Sequence, residues 1–111
     1  MGLGLFAGIP VSLFAAALPW YEQLFGAEPS FLPHDTEAVW ELADQRFVYI
    51  VQDPSRAGHA LVTAFEEDDL DARVAAIAER GLEPAERETY SNGVRKITYR
   101  DPEGNEVGFG G

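Results

Sequence analysis

The chain has 111 residues, of which 46% are hydrophobic and 12% aromatic, enough for one compact domain with a core but too few for two independent domains. Its 19 acidic and 8 basic residues give a formal net charge of −11, which argues against nucleic acid as a partner because phosphate binding needs a basic surface. The absence of cysteine excludes disulfides, thiolate metal sites and cysteine nucleophiles.

The N-terminal stretch is apolar but lacks the marks of a signal peptide. No basic residues precede it, and Pro10 and Pro19 interrupt the apolar run. No stretch of the chain reaches the uninterrupted apolar length that spans a bilayer. We therefore expect a cytoplasmic protein with no membrane partner. The acidic surplus is explained most simply by solubility, although it also permits a cationic ligand.

The first half of the chain predicts one strand, one helix and three further strands. The stretch LGLFAGIPV predicts the first strand, and residues 13–26 predict a helix with an apolar stripe and a left-handed end at Gly26. The following strands are SFLPH, AVWELAD and RFVYIVQD, the last two joined by a turn at Asp44 and Gln45. Both faces of RFVYIVQD are apolar, which favours a strand covered by the helix on one side and lining an apolar cup on the other.

The second half repeats this order. HALVTAF predicts a strand, and the helix predicted at residues 69–81 begins after an acidic N-cap, either Asp68 or Asp69. Three strands follow in EPAERETY, VRKITYR and EVGFGG. Asn92 and Gly93 indicate a type I′ hairpin between two of them, because both central residues of that turn take positive φ.

The two halves form an internal repeat. The glycines that end the two helices, Gly26 and Gly81, are 55 residues apart, half the chain. We expect one domain, residues 1–111, with a first module at about 1–53 and a second module at about 58–111. One helix cannot cover the apolar sheet of its own module well, so the modules should share a core. The predicted fold is α+β, with two βαβββ modules forming a curved eight-strand mixed sheet and both helices on its convex side.

Three stretches carry a resemblance to a known family. IPVSLFAAALPWYEQLFG, DDLDARVAAIAERG and ITYRDPEGNEVGFGG resemble the signature stretches of the glyoxalase, bleomycin-resistance and extradiol-dioxygenase superfamily, the vicinal oxygen chelate fold. The similarity covers nearly the whole chain. It implies a cupped sheet with a ligand cleft on its concave side, built within one chain or across a dimer. The superfamily contains metal-dependent isomerases and dioxygenases as well as metal-free drug-sequestering proteins, so the fold does not determine the function.

The resemblance also implies where a metal would bind. The first-strand ligand position, counted back from the VS pair, is Phe6, and the last-strand position, counted from the DPxGN turn, is Gly108. Neither side chain can coordinate a metal. The third position is His59 in one register and Val62 in another. Because a divalent centre needs three or four nitrogen or oxygen ligands, we expect no metal and no other cofactor.

We predict six ligand-binding residues and no catalytic residue. Glu106 shares strand parity with Gly108 and should point into the cup near its mouth, where His59 begins the first strand of the second module. Trp40 alternates with Val39 along its strand, so it lines the cleft or fills the core. The predicted ligand-binding residues are Trp40, Tyr49, Tyr99, Glu106, Phe6 and His59.

These residues favour a metal-free binding protein over an enzyme. Its ligand would be an aromatic or cationic small molecule, ideally a planar cation that stacks on aromatic rings and pairs with Glu106. Exposed sheet edges that need cover predict a homodimer. The alternative is a divalent-metal-dependent lyase or isomerase of the glyoxalase type, or an extradiol dioxygenase, with His59, Glu106 and Glu41 as the first ligand candidates. A structural module with an empty cup is a third possibility.

Overall fold

The computed structural model describes residues 2–111, so Met1, at which the first predicted module begins, lies outside the described residues. The first module contains β1 (Leu5–Val11), α1 (Phe14–Phe25), β2 (Phe31–His34), β3 (Glu37–Ala43) and β4 (Arg46–Gln52). The second contains β5 (Leu61–Phe65), α2 (Leu70–Glu79), β6 (Glu86–Thr89), β7 (Arg95–Arg100) and β8 (Glu106–Gly110). Both have the order βαβββ, which confirms the predicted two-module α+β fold.

The eight strands are divided between two four-stranded sheets. Their strand orders are β1-β4-β3-β2 and β5-β8-β7-β6. β1 runs parallel to β4 and β5 runs parallel to β8, whereas all other neighbouring strands are antiparallel, so both sheets are mixed. Among the described residues no hydrogen-bond ladder joins the two sheets, and packing between the modules, rather than strand pairing, holds them together.

One face of each sheet, which we call the helix-covered face, packs into the shared core. Successive residues of a strand point to opposite sides, and the buried residues of β1 and β4 alternate along their strands, namely Ile9, Val11, Val48 and Ile50. β7 and β8 contribute Ile97, Tyr99, Val107 and Phe109 in the same way. These residues and apolar residues of both helices form one cluster. The opposite side of each sheet, which we call the open face, is more exposed.

Helix α1 is anchored at its N-terminus by groups from elsewhere in the chain. Its own N-cap position, Leu13, has no capping side chain. The backbone N–H of Phe14 instead donates to Gln52 Oε1 over 2.9 Å, and the N–H of Ser12 donates to the carboxylate of Glu103 at 2.9 and 3.0 Å. The start of α1 therefore depends on β4 and on a turn of the second module.

The C-terminus of α1 is held by Arg80, which follows α2. The Arg80 guanidinium donates to the carbonyl oxygens of Gln23 and Leu24 at 2.5 and 3.1 Å. Gly26 ends the helix at φ 71°, and a Cβ added there would lie 2.7 Å from Arg80 Cζ. A cation at a helix C-terminus is favourable because it satisfies carbonyl groups that have no partner within the helix. Arg80 thus links the two modules on their helical side.

A buried polar network links the modules at the turn before β8. Asp101, 5% exposed, accepts a 2.7 Å hydrogen bond from the Tyr21 hydroxyl and a 2.9 Å bond from Asn105 Nδ2. Asn105 also donates to the carbonyl of Pro10 and accepts from the N–H of Ala60. The other oxygen of Asp101 accepts three backbone N–H groups of its own turn, from Glu103, Gly104 and Asn105. Every member is therefore paired, as buried polar groups require.

One predicted turn type is wrong. Asn92 does not take positive φ, since Gln45 is the one non-glycine residue with positive φ in residues 2–111. The hairpin is instead closed by a hydrogen bond from the Tyr90 N–H to the Val94 carbonyl. The Asn92 side-chain oxygen accepts a further hydrogen bond from the Val94 N–H. That side-chain bond offers Asn92 an alternative to the left-handed conformation. Asp69, not Asp68, is the N-cap of α2.

Neither helix of the described residues is long and apolar enough to cross a membrane.

Candidate functional site

Four aromatic side chains cluster on the open face of the first sheet. Phe6 on β1 stacks on Phe47 of β4 with ring centroids 4.3 Å apart and planes 9° from parallel. Phe31 meets Phe47 edge-on at 6.5 Å, and Tyr49 lies 6.5 Å from Phe6. We call these four residues the aromatic patch. Phe6 is 53% and Phe31 45% exposed, so a planar molecule can reach their rings.

The register of β1 against β4 explains this patch. Phe6 pairs directly with Phe47, and Gly8 pairs with Tyr49. A Cβ at Gly8 would lie 2.5 Å from the Tyr49 hydroxyl oxygen, so the glycine leaves the space in which the tyrosine lies across the strand. Phe6 and Tyr49, two of the predicted ligand-binding residues, therefore lie on one surface. Phe47 and Phe31 were not among the predicted ligand-binding residues, although Phe47 lies on the same side of β4 as Tyr49.

The open face of the second sheet is polar and carries Glu106. Arg100 holds this carboxylate through two contacts to Glu106 Oε2, 2.8 Å from Nη2 and 3.0 Å from Nε, and its Nη2 also contacts Glu86 Oε1 at 3.0 Å. The hydrogen bond to Glu106, and to a smaller extent the one to Glu86, raises the pKa of Arg100. Glu106 thus lies on the open face with its charge already paired.

Beside Glu106 the second sheet has a small recess over Gly108. Gly108 pairs with Thr63 on β5 and Thr98 on β7, and Lys96 lies diagonally across from it. The recess has a volume of about 10 Å³ and is also lined by Leu61, Val62 and Glu106. Gly108 contributes only backbone to this recess, and the polar groups of its lining are two hydroxyl groups, one ammonium group and the Glu106 carboxylate.

Two of the predicted ligand-binding residues lie in the core, which for Trp40 is one of the two places that its strand pattern left open. Trp40 is 2% exposed on the helix-covered face, where its ring lies 5.2 Å from Phe25 and its Nε1 donates to the carbonyl of Ala27. Tyr99 is 1% exposed and packs edge-on against Phe109. Burial raises the pKa of Tyr99, whose hydroxyl has no hydrogen-bond partner within residues 2–111. Neither ring can meet a ligand on the open face.

The residues at the implied metal positions do not fit a metal. Phe6 belongs to the aromatic patch, and Gly108 offers no side chain. On β5 the residue opposite Gly108 is Thr63, whereas Val62 shares the parity of buried Val107 and His59 is exposed two residues before the strand. Within residues 2–111 no group of three His, Cys, Asp or Glu side chains could hold an ion. We therefore derive no metal-dependent step.

A second concavity lies on the helical side, away from both open faces. Its volume is about 420 Å³, and it is open to solvent between the end of α1 and the side of α2. Both arginines along it are already engaged, since Arg73 pairs with Glu66 and stacks over Phe109, and Arg80 caps α1. Neither this concavity nor the recess over Gly108 is lined by a residue of the aromatic patch.

Comparison with known proteins identifies the family. Residues 3–109 match the model of the Glyoxalase/Bleomycin resistance protein/Dioxygenase superfamily. A glyoxalase / bleomycin resistance protein from Catenulispora acidiphila DSM 44928 is 57% identical with a TM-score of 0.93, over 98% of this chain and 97% of that one. A search of the curated proteins finds no match.

More distant solved structures share the fold. A lactoylglutathione lyase from Agrobacterium tumefaciens is 19% identical with a TM-score of 0.72, over 96% of this chain and 90% of that one. A bleomycin resistance determinant encoded on the transposon Tn5 is 16% identical with a TM-score of 0.73, over 96% of this chain and 94% of that one. The chain belongs to the glyoxalase, bleomycin resistance protein and dioxygenase superfamily.

Proposed function

We propose that this chain is a metal-free small-molecule-binding protein that holds a planar aromatic ligand against the aromatic patch. The observation that carries this proposal is the accessible stack of Phe6 and Phe47, flanked by Phe31 and Tyr49. Binding sites for small molecules are mostly apolar and aromatic, with a few polar groups that fix orientation. Two of the superfamily's implied metal positions, Phe6 and Gly108, offer no metal-coordinating side chain here, so the proposal derives binding from these rings.

The contacts of Glu106 bear on the charge of the ligand. A cationic ligand would have to compete with Arg100, which already donates two hydrogen bonds to this carboxylate. Charge-assisted hydrogen bonds are among the stronger polar contacts, so that exchange offers a cation little net gain. The proposal therefore rests on the aromatic plane of the ligand, with a cationic group as a secondary feature.

We further propose that the chain forms a homodimer. β1 and β5 are edge strands of their sheets and carry exposed apolar residues, with Leu5 67%, Leu61 80% and Phe65 64% exposed. Edges of this kind invite pairing with another chain, and covering them would also deepen the shallow open faces. Light scattering at micromolar concentration should give twice the 12.2 kDa chain mass. A monomeric mass would refute this part of the proposal.

The aromatic site can be tested with an uncharged probe, 2-naphthylmethanol, followed by its own fluorescence anisotropy. Tryptophan quenching is a poor reporter, because Trp40 is buried on the helix-covered face and Trp20 belongs to α1, where it packs against the same core. Phe47→Ala removes the ring that touches both Phe6 and Phe31, and it should weaken binding about tenfold, or about 1.4 kcal/mol.

The matched control is Tyr90→Ala. Tyr90 is also an accessible aromatic residue, 45% exposed, but lies in the turn between β6 and β7. Its replacement should leave the affinity unchanged. Equal affinities of wild type, Phe47→Ala and Tyr90→Ala, or no saturable binding by wild type, would refute the aromatic site.

A further inference from the structure

We propose that Asn92 is a site of spontaneous deamidation, at which the backbone nitrogen of Gly93 displaces the side-chain amide nitrogen of Asn92 as ammonia. The modification changes the turn between β6 and β7 and is independent of the proposed ligand site. Asn92 and Gly93 form the only Asn-Gly pair of the sequence, and Asn105 is its only other asparagine.

The turn between β6 and β7 leaves the reacting groups accessible. Asn92 and Gly93 are both exposed. Apart from the chain neighbours of Gly93, no heavy atom lies within 4 Å of a Cβ added there, so water can reach this turn. Because glycine has no side chain, nothing on Gly93 hinders the approach of its nitrogen to the Asn92 side chain.

The hydrogen bonds of the turn bear directly on the reaction. Asn92 Oδ1 accepts a 3.0 Å hydrogen bond from the Val94 N–H. That bond draws the side-chain carbonyl toward the following backbone and stabilises the charge that develops on Oδ1 during attack at Cγ. Asn92 Nδ2, the leaving group, makes no hydrogen bond within residues 2–111. The Gly93 N–H donates to the Tyr90 carbonyl at 2.9 Å, and this exposed bond opens before the nitrogen reacts.

The reaction consumes water and needs no other co-reactant. The Gly93 nitrogen forms a bond to Asn92 Cγ and gives up its proton, while the bond from Cγ to Nδ2 breaks and Nδ2 leaves with that proton as ammonia. The product is a five-membered succinimide, in which the Gly93 nitrogen joins both carbonyl carbons of residue 92. Water that opens this ring at Cγ gives aspartate. Water that opens it at the backbone carbonyl gives isoaspartate, whose main chain runs through Cβ and Cγ.

Both products alter the hairpin. Each adds one negative charge to a chain that already has a formal net charge of −11. The isoaspartyl product also lengthens the main chain between Tyr90 and Val94, whose hydrogen bond closes the turn. β6 is an exposed edge strand that pairs with β7 alone, so a longer turn should loosen the end of β6.

Asn105 provides a matched control within the same chain. It is fully buried, and its Nδ2 donates to the Pro10 carbonyl and to Asp101 Oδ2, both at 2.9 Å. The nitrogen that would attack it, the Glu106 N–H, donates to the Ala60 carbonyl at 2.8 Å. Since both the leaving group and the attacking nitrogen are held in the core, Asn105 should stay intact while Asn92 reacts.

Peptide mapping of the aged protein tests the site. The full chain is kept in neutral buffer for several weeks, and samples are digested with trypsin and analysed by mass spectrometry. Cleavage after the arginines places Asn92 in peptide 88–95 and Asn105 in peptide 101–111. Peptide 88–95 should deamidate at a rate about tenfold or more above that of peptide 101–111.

Two further measurements separate the modification from its consequence. Anion exchange of the aged wild type should resolve an acidic form that Asn92→Gln lacks, because glutamine would have to close a six-membered ring, which forms more slowly. In the isoaspartyl fraction, hydrogen exchange of the Tyr90 amide should quicken about tenfold, whereas the Arg95 amide, which donates to the Gly111 carbonyl, should stay protected.

The outcomes that would overturn the inference are distinct. Equal rates for the two peptides, or an acidic form that persists in Asn92→Gln, would overturn the deamidation site. Unchanged exchange of the Tyr90 amide in the isoaspartyl fraction would overturn the loosening of β6.

Discussion

Replacing Asp101 by alanine should destabilise the protein more than the loss of an ordinary surface carboxylate, because Asp101 joins the two modules. It accepts five hydrogen bonds, from the Tyr21 hydroxyl, Asn105 Nδ2 and three backbone N–H groups, at 2.7 to 3.0 Å. Each bond to a charged acceptor contributes about 1.5–3 kcal/mol, but bonds that share one carboxylate do not add. Since alanine leaves buried donors without a partner, we expect a loss of about 4 kcal/mol.

The matched control is Asp53→Ala. Asp53 also precedes a proline and accepts bonds of 2.7 Å from Ser55 Oγ and Arg56 Nε. Arg56 is 76% exposed, and ion pairs in water contribute little to stability. Asp53→Ala should therefore cause a much smaller loss than Asp101→Ala.

Urea unfolding at pH 7, followed by far-ultraviolet circular dichroism, measures both variants. With a slope of about 2 kcal/mol per molar urea, the Asp101→Ala midpoint should fall by about 2 M. If Asp101→Ala does not fold, Tyr21→Phe gives a second measurement, because it removes one of the five bonds and should cost about 1 kcal/mol. Equal midpoints for Asp101→Ala and Asp53→Ala would refute the structural role of the network.

Two further predictions concern the contacts between the modules, the first at Tyr21 and the second at Gly26. Burial, followed by the hydrogen bond to Asp101, raises the pKa of Tyr21 far above the 10.0 of a free tyrosine. The unfolded chain therefore loses this proton near pH 10 while the folded protein keeps it, so stability should fall above pH 10, by up to about 1.4 kcal/mol per pH unit. Tyr21→Phe should flatten that fall in urea unfolding across pH 9–11, and identical slopes would contradict it. Gly26→Ala should cost about 1–2 kcal/mol more than Gly93→Ala by thermal unfolding, because both glycines have positive φ but only the Cβ at residue 26 would strike Arg80. Equal losses would show that the Arg80 contact adds nothing.

The elements of the fold could be predicted from local pattern. The apolar stripe and Gly26 placed α1 at about 13–26, and the helix spans Phe14–Phe25. Gly81, with φ 97°, follows α2 as predicted. These features depend on residues close in sequence, where helical periodicity and the glycine requirement act directly.

The side that each strand residue faces could not be predicted in the same way. Alternation separates Trp40 from Val39 but does not say which of them meets the helix, and both are buried. The strand pattern left Trp40 in either the cleft or the core, and its packing against Phe25 places it in the core. Tyr99 failed as a prediction for the same reason, since both faces of its strand hold buried residues.

Contacts between distant residues were the other part that sequence reasoning missed. Glu106 was placed on the open face by parity, but its neutralisation depends on the cross-strand pairing of Arg100 with Glu106. The lean of Lys96 over Gly108 likewise depends on the register of β7 against β8. Register between strands is set by the whole sheet, and a single strand does not contain it.

The most direct test of the central claim is binding after removal of metals. The protein is treated with EDTA, dialysed into metal-free buffer and titrated calorimetrically with 2-naphthylmethanol, before and after addition of Zn²⁺, Ni²⁺ or Mn²⁺. Because the proposed site consists of aromatic side chains, the treated protein should bind with unchanged affinity, and added metal should have no effect. Binding that is lost with EDTA and restored by one of these ions would contradict metal-free recognition.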